Sequence, residues 1–266
     1  MAELENYPHK FDGLVAIITL LRDPIHGCPW DLAQTHQSLR PSLLEECFEV
    51  LEAIDEGDPI KLSEELGDLL LQVVFHAQIA AETAEFTLSD IFKQINEKLV
   101  RRHPHVFADA QASTPEEVET HWEEVKRAER TGTRETQSML DGIPRTMPAL
   151  AYSRALQERA ARVGFDWENV DGVLQKVHEE HQELLNAQSQ QQQELEMGDL
   201  LFTMVNLSRW LKVDAESALR KSALRFYKRF ALMESYTNEL GVNIQDLPMD
   251  EKDVFWEQAK NDLTFC

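Results

Sequence analysis

Residues 64–75, EELGDLLLQVVF, carry apolar side chains most of the way round a helix and leave one narrow polar strip. At about 100° per residue, Glu65, Asp68 and Gln72 fall within one arc of about 60°. Leu66, Leu69, Leu70, Leu71, Val73, Val74 and Phe75 fill the rest. Such a helix is expected to be buried, with its carboxylates facing a cation, basic side chains or a wet cavity. Residues 196–207, EMGDLLFTMVNL, repeat the pattern, with Glu196, Asp199, Thr203 and Asn206 within an arc of about 80°. Gly67 and Gly198 hold the same place in the two stretches, and each costs a helix about 1 kcal/mol relative to alanine. Close approach by another helix or a ligand would account for both.

The same periodicity predicts the other elements. Phe11, Leu14, Val15, Ile18 and Leu21 share one helical face, and Pro24 and Gly27 stop that helix. A loop, 23–37, follows, in which Cys28, Pro29, Trp30 and Asp31 are expected to pin the chain to a core. Residues 42–56, SLLEECFEVLEAIDE, form a helix with Leu43, Leu44, Cys47, Phe48, Val50, Leu51 and Ile54 on one face. Glu45, Glu46, Glu49 and Glu52 share the other, and Glu46 and Glu49 point the same way at i, i+3. The short turn Gly57, Asp58, Pro59 makes this helix and the next antiparallel neighbours. A helix over 87–102 gathers Lys98, Arg101 and Arg102 in its last turn, and Pro104 ends it. Another, over 115–128, bears Trp122 and Lys126 one turn apart. His103 and His105 in RRHPHVF read as packing residues at a helix stop.

Residues 127–145, RAERTGTRETQSMLDGIPR, lose the periodicity and have the composition of a linker. Beyond them the motifs recur in order. Glu179, Glu180 and Glu183 match Glu45, Glu46 and Glu49; Arg225 and Arg229 match Lys98 and Arg102; Trp256 and Lys260 match Trp122 and Lys126. Offsets of 134, 131, 127 and 134 residues for successive motifs make this a duplication. They are far longer than solenoid periods, so two all-α domains of four to five helices are expected, 1–128 and 147–266, joined by 129–146. Domains that small leave apolar surface for a partner copy to cover, so a homodimer is expected.

Composition narrows the function classes. The chain has 48 acidic and 26 basic residues in 266, a formal charge of −22, which argues against nucleic acid as a partner. Three cysteines, Cys28, Cys47 and Cys266, form no CxxC pair and suit a reducing cytoplasm. No apolar run of about 18 residues and no basic region followed by an apolar core is present, so neither a membrane span nor a signal peptide is expected.

Each half thus brings four carboxylates from two adjacent helices: Glu46, Glu49, Glu65 and Asp68, then Glu180, Glu183, Glu196 and Asp199. Packed together they would repel and raise one another's pKa values. Hard divalent ions, magnesium first, are the natural counter-charge, and magnesium sites commonly bind phosphate oxygens as well. With a paired cationic turn and a tryptophan–lysine pair in each half, the set reads as metal, phosphate and base in one cleft. That points to hydrolysis of a phosphoanhydride by a metal-activated water. No GxxxxGK[ST] loop is present, so the chain is no P-loop enzyme.

The order EExxE, spacer, ExxGDLL, together with LRDPIHGCPWDLAQTH near the start and RRHPHVF at 101–107, closely resembles the MazG family of nucleoside triphosphate pyrophosphohydrolases. The likeness covers nearly the whole chain. It implies Mg²⁺-dependent hydrolysis of NTPs and dNTPs to monophosphate and pyrophosphate by water attack at the α phosphorus, with Mn²⁺ able to substitute. It also implies a house-cleaning role in the nucleotide pool, a homodimer whose helices complete each other's bundles, and a C-terminal copy that is the main catalytic one. Carried over by position, Glu180, Glu183, Glu196 and Asp199 would hold magnesium. Lys176, Glu179, Arg225, Arg229, Trp256 and Lys260 would bind the nucleotide, tryptophan by stacking on the base. Glu46, Glu49, Glu65 and Asp68, with Lys98, Arg102, Trp122 and Lys126, would form a second, weaker site. Leu195 departs from the pattern, standing where Glu64 does in the first copy.

Two other classes were weighed. A ferritin-like di-iron protein would carry ExxH pairs, and none occurs in the chain. A non-catalytic nucleotide- or partner-binding helical module is the alternative.

Overall fold

The computed structural model describes residues 9–115, 117–118, 121–122, 125 and 138–263. Among them every regular element is a helix, and no helix is long and apolar enough to cross a membrane. The chain divides into two compact units, Met1–Arg134 and Glu135–Cys266.

The first unit contains α1 (Phe11–Leu21), α2 (Pro29–Leu32), α3 (Arg40–Glu56), α4 (Pro59–Glu82), α5 (Leu88–Arg102) and α6 (Pro104–Phe107). Its core is where α1 crosses α4. Ile18, Val74, Phe75 and Ile79, with Leu39 from the segment before α3, are nearly inaccessible to water, and Phe11, Leu14, Val15, Leu21 and Leu71 pack around them. The turn between α3 and α4 is built from three local choices. Gly57 ends α3 at φ +68°, a conformation costly to any residue with a Cβ. Asp58 caps α4 by accepting from the amides of Ile60 (2.9 Å) and Lys61 (3.2 Å), and Pro59 supplies a preset first turn. Lys61 then reaches back to Glu52 (2.9 Å) and Glu56 (3.1 Å), lacing the two antiparallel helices together. Thr87 and Asp90 start α5 with a reciprocal capping box.

The loop between α1 and α3 is held from beneath by Arg22. Its guanidinium pairs with both oxygens of Glu82 (2.8 and 2.6 Å), donates to the carbonyls of Asp31 and Gln34, and lies 5.4 Å from the centre of the Phe75 ring. Trp30, expected to pin this loop to the core, instead points into water at 61% exposure. Arg22 binds the loop by its backbone carbonyls, so the neighbouring side chain is not needed as an anchor.

The second unit contains α7 (Ala149–Ala161), α8 (Val170–Asn186), α9 (Gln190–Trp210), α10 (Ala215–Glu239), a 3₁₀ turn (Ile244–Asp246) and α11 (Met249–Leu263). α8 runs along α9, α7 packs on α9 and α10, and α10 pairs with α11. Val173, Val205, Met233 and Ala259 are its buried apolar residues on these helices. The GFDW loop is pinned as the first unit's loop is, by an arginine. Arg209 grips Asp166 through two hydrogen bonds (2.9 and 2.5 Å), and the Trp210 indole N–H adds a third (3.3 Å). Residues 138–146, the described end of the expected linker, fold onto this unit: Ile143 is buried, and Arg159 donates to the carbonyls of Met139 and Asp141. The expected helix over 115–128 falls largely outside the described residues, Lys126 with it, as does Cys266.

Two expectations about burial need correction. On α3 the residue fully shielded within the unit is Ala53, while Leu44, Phe48, Leu51 and Ile54 are exposed. Glu46 and Glu49 are half-buried on the side that meets α4. The shielded side is mixed: Glu46 and Glu49 share it with Leu43, Val50 and Ala53, while Glu45 and Glu52 stay in water. Likewise the first half of α4 is not buried all round, since Leu66, Leu70 and Val73 are exposed. The cause is coverage: α4 meets α1 near its end, and its first turns pack on α3 alone, leaving the opposite apolar face open. On α9, Met197, Leu201, Phe202 and Met204 are exposed in the same way.

Candidate active site

Three carboxylates converge in each unit. Oxygens of Glu46 and Glu49 from α3 and of Glu65 from α4 all lie within 4.8 Å of one another, and so do those of Glu180 and Glu183 from α8 and Glu196 from α9. The spacing follows from the helices: residues at i, i+3 on one helix share a face, and the short turn aligns that face with the polar strip of the next.

Such crowding shows in the proton affinities. Loss of hydration first, then repulsion from Asp68 and Glu49, holds the Glu46 carboxyl above the usual carboxylate range, although a hydrogen bond from Gln72 pulls the other way. Glu65 is raised by desolvation and by Glu49, Glu64 and Asp68. Glu183 is raised by desolvation and Glu180, against the opposing effect of Lys176. A carboxylate whose pKa rises on folding costs stability as pH climbs through and above 4.5. Each cluster therefore favours a proton or a cation. The donor set is all oxygen and all anionic, which fits a hard divalent ion such as magnesium.

The two clusters are not alike. In the second unit Glu180 is buried and Lys176 sits against it, with its ammonium 2.8 Å from Glu180 and 2.7 Å from Glu179. In the first unit the corresponding position, 134 residues earlier, is Ser42. The fourth acids differ too. Both stand outside the groups of three, but Asp68 is half-buried and acts on both Glu46 and Glu65, whereas Asp199 is exposed. Repulsion from three neighbouring carboxylates is relieved by keeping that one in water.

Of the expected nucleotide-binding residues, one group gathers on α10 and α11. The Arg229 guanidinium lies 5.8 Å from the centre of the Trp256 ring, Phe226 packs on the same indole at 5.3 Å, and Lys260 pairs with Glu257 (2.6 Å). Arg225 is exposed on α10. This group lies on a different helix pair from the acids of α8 and α9. In the first unit Trp122 meets His103 edge-on at 5.1 Å, Arg102 is half-buried beside it in sequence, and Lys98 is exposed.

Gly67 and Gly198 face open space: a Cβ built on either would meet nothing within 4 Å. Among the described residues no neighbouring helix approaches either glycine. The polar strip of α4 extends one residue further than the sequence analysis carried it. Gln72 is 6% exposed and meets Glu46, and His76, one turn further on, is bonded to His36. The signal was present, because His76 continues the polar strip of Glu65, Asp68 and Gln72 at helical spacing.

Comparison with known proteins agrees with this arrangement. Residues 34–107, which span α3, α4 and α5, match the MazG nucleotide pyrophosphohydrolase domain. The chain is 48% identical to the nucleoside triphosphate pyrophosphohydrolase/pyrophosphatase MazG of Thermotoga maritima, over 94% of this chain and 95% of that one. It is 44% identical to the nucleoside triphosphate pyrophosphohydrolase of Escherichia coli, over 95% and 97%. It is also 45% identical to Bacillus subtilis YabN, over 95% of this chain and 52% of that one. With the acid-bearing helix pairs in place and relatives matched from end to end, the chain belongs to the MazG nucleotide pyrophosphohydrolase family.

Proposed function

We propose that this protein is a nucleoside triphosphate pyrophosphohydrolase that converts NTPs and dNTPs to monophosphate and pyrophosphate in the cytoplasm, with magnesium as cofactor and manganese as a substitute. The observation that carries the reading is the convergence of three carboxylates from two adjacent helices in each unit. In the second unit Glu180, Glu183 and Glu196 would hold the ion, with Asp199 free to swing in from water, and Glu46, Glu49, Glu65 and Asp68 would do the same in the first. Bound there, magnesium would supply charge neutralisation for the phosphates and acidity for a coordinated water.

The chain's own residues supply the rest. Lys176, with Glu180 and Glu179 as its partners, can exchange those carboxylates for phosphate oxygens when a polyphosphate enters. Arg225 and Arg229 offer charge to the same phosphates. Trp256 presents an aromatic face for the base, and Lys260 lies a turn away. A glutamate of the set accepts the proton of the attacking water. The bond from the α phosphorus to the bridging oxygen breaks, and pyrophosphate leaves with that oxygen. Because the acids and the Arg229–Trp256 group lie on different helix pairs, we assign the closing of the site to a second copy of the chain. The apolar rows left open on α3, α4 and α9 are its docking faces.

The test is to incubate the full chain with Mg²⁺ and each of several NTPs and dNTPs, separating the products while light scattering gives the mass of the same preparation. Monophosphate plus pyrophosphate from a particle of twice the chain mass is expected. Diphosphate plus orthophosphate would place the attack at a different phosphorus, and no turnover of any nucleotide would leave a binding module.

Gly198→Ala separates a reserved approach from an unused gap. Alanine should stabilise α9 by about 0.5–1 kcal/mol, since its methyl meets nothing within the chain. If the space is kept for the incoming substrate or the second copy, KM rises or the dimer weakens even as the thermal midpoint increases. Unchanged kinetics and mass would show that the glycine has no such role.

A further inference from the structure

His36 and His76 meet where the segment leading into α3 crosses α4. Their Nδ1 atoms are 2.7 Å apart, the ring planes differ by 10°, and the ring centres are 5.0 Å apart. A ring nitrogen stands roughly an ångström from its own centre, so these distances place the imidazoles edge to edge, nitrogen facing nitrogen, in a near-linear hydrogen bond. One ring must donate and the other accept. The burial assigns the roles. His76 Nε2 is enclosed without a partner. A bare lone pair there costs less than an unpaired N–H, so His76 carries its proton on Nδ1 and donates to His36, whose own N–H is then on Nε2.

An added proton has only two places to go. On His36 Nδ1 it replaces the accepting lone pair and breaks the bond. On His76 Nε2 it creates a charged, unpartnered N–H in a buried position, and burial together with the neighbouring His36 holds the affinity of His76 for a proton below its ordinary value. The loop after α4 presents Phe86, whose ring centre is 6.5 Å from that of His36, and the titratable group acting on His76 is His36 itself.

The geometry points to a proton-released clasp: the His36–His76 bond ties the entry of α3, and through it Glu46 and Glu49, to α4 while both rings are neutral, and it opens when the pair takes up a proton. Leu207 stands at the corresponding place on α9, 131 residues on, so the second unit lacks the device. This inference concerns the metal-free fold and does not rest on the catalytic reading.

The sign follows from linkage. The unfolded chain takes protons near pH 6.5 and folded His76 resists them, so the clasp is at full strength above 6.5 and weakens as pH falls toward the lowered folded value. Amide exchange of the full chain, corrected for the intrinsic pH dependence, reads this directly. In residues 33–45 protection should fall by up to about tenfold per pH unit below 6.5, while residues 170–180 stay flat. In His76→Leu, whatever its basal protection, the pH dependence of 33–45 should vanish. In wild-type protein labelled with ¹⁵N-histidine, His103 supplies one Nδ1 proton, given to the Leu99 carbonyl (2.6 Å), and a second Nδ1 proton, coupled across its hydrogen bond to another ring nitrogen, should be visible at pH 7.5 and lost on acidification, a measurement that survives misfolding of the variant. Protection of 33–45 that is flat from pH 7.5 to 5.5 in the wild type, or no Nδ1 proton coupled to a second ring nitrogen at pH 7.5, overturns the clasp.

Discussion

Glu183→Gln is expected to cut pyrophosphate release about a thousandfold and to abolish one of the manganese-binding events seen by calorimetry, because it removes one of three converging anionic ligands without changing shape. Glu49→Gln, the matched change in the first unit, should abolish the other binding event while leaving turnover within about twofold. The pair of variants thereby assigns chemistry and metal to units separately. Loss of activity in Glu49→Gln with retention in Glu183→Gln would make the first unit the catalytic one. That reversal has a physical argument in its favour, since the first cluster has its fourth acid close by, no internal lysine, and Glu64 where the second has Leu195. Equal binding and full activity in both variants would refute the carboxylate sites altogether.

Arg22→Met carries the largest expected cost to the fold. The arginine side chain is 6% exposed, and its removal leaves Glu82 with Gln78 as its donor and takes the guanidinium from the carbonyls of Asp31 and Gln34. Breaking a shielded pair on one side typically costs about 3 kcal/mol. In urea the first unit should then open at a midpoint about 1–2 M lower, read from amide exchange in α1 and α4, while α8 and α9 are unmoved. The pH dependence adds a second readout. Hydrogen bonds from Arg22 hold the Glu82 carboxyl below its ordinary 4.5, so its contribution is present above that pH and lost as pH falls through the lowered value. In Arg22→Met that acid-side loss disappears. A variant as stable as the wild type would mean that the loop is held by its own turns, and the arginine would be decoration.

The helices were legible because apolar spacing, caps and prolines act locally: α1 spans the predicted residues, and the turn before α4 uses the glycine, aspartate and proline that the sequence marks for it. The convergence of the acids was legible too, since i, i+3 spacing and a short turn leave little freedom. What would cover the apolar face of α3 was not. Periodicity says which residues share a face, never what covers that face, and the usual rule that glutamates face water fails where acids are gathered on purpose. For the same reason the open apolar side of α4 could not be anticipated from a single chain's pattern. Arg22 and Glu82 are 60 residues apart, and nothing local marks them as partners. His76 was within reach, because the polar strip that exposed Glu65 and Asp68 runs on through Gln72 to the histidine.

Lys176 has a consequence for the way each unit is born. Among the described residues no cation of the first unit is bonded to its acid cluster, Lys61 acting on Glu65 from its pairs with Glu52 and Glu56, so with no ion bound the cluster would share protons among Glu46, Glu49 and Glu65 or tolerate their repulsion. The second unit folds around an ammonium that is already part of the chain. There a divalent ion would replace something already present, and Lys176 would be released at the place where a polyphosphate would meet it. The first unit would gain order from an ion, and the second a loose lysine.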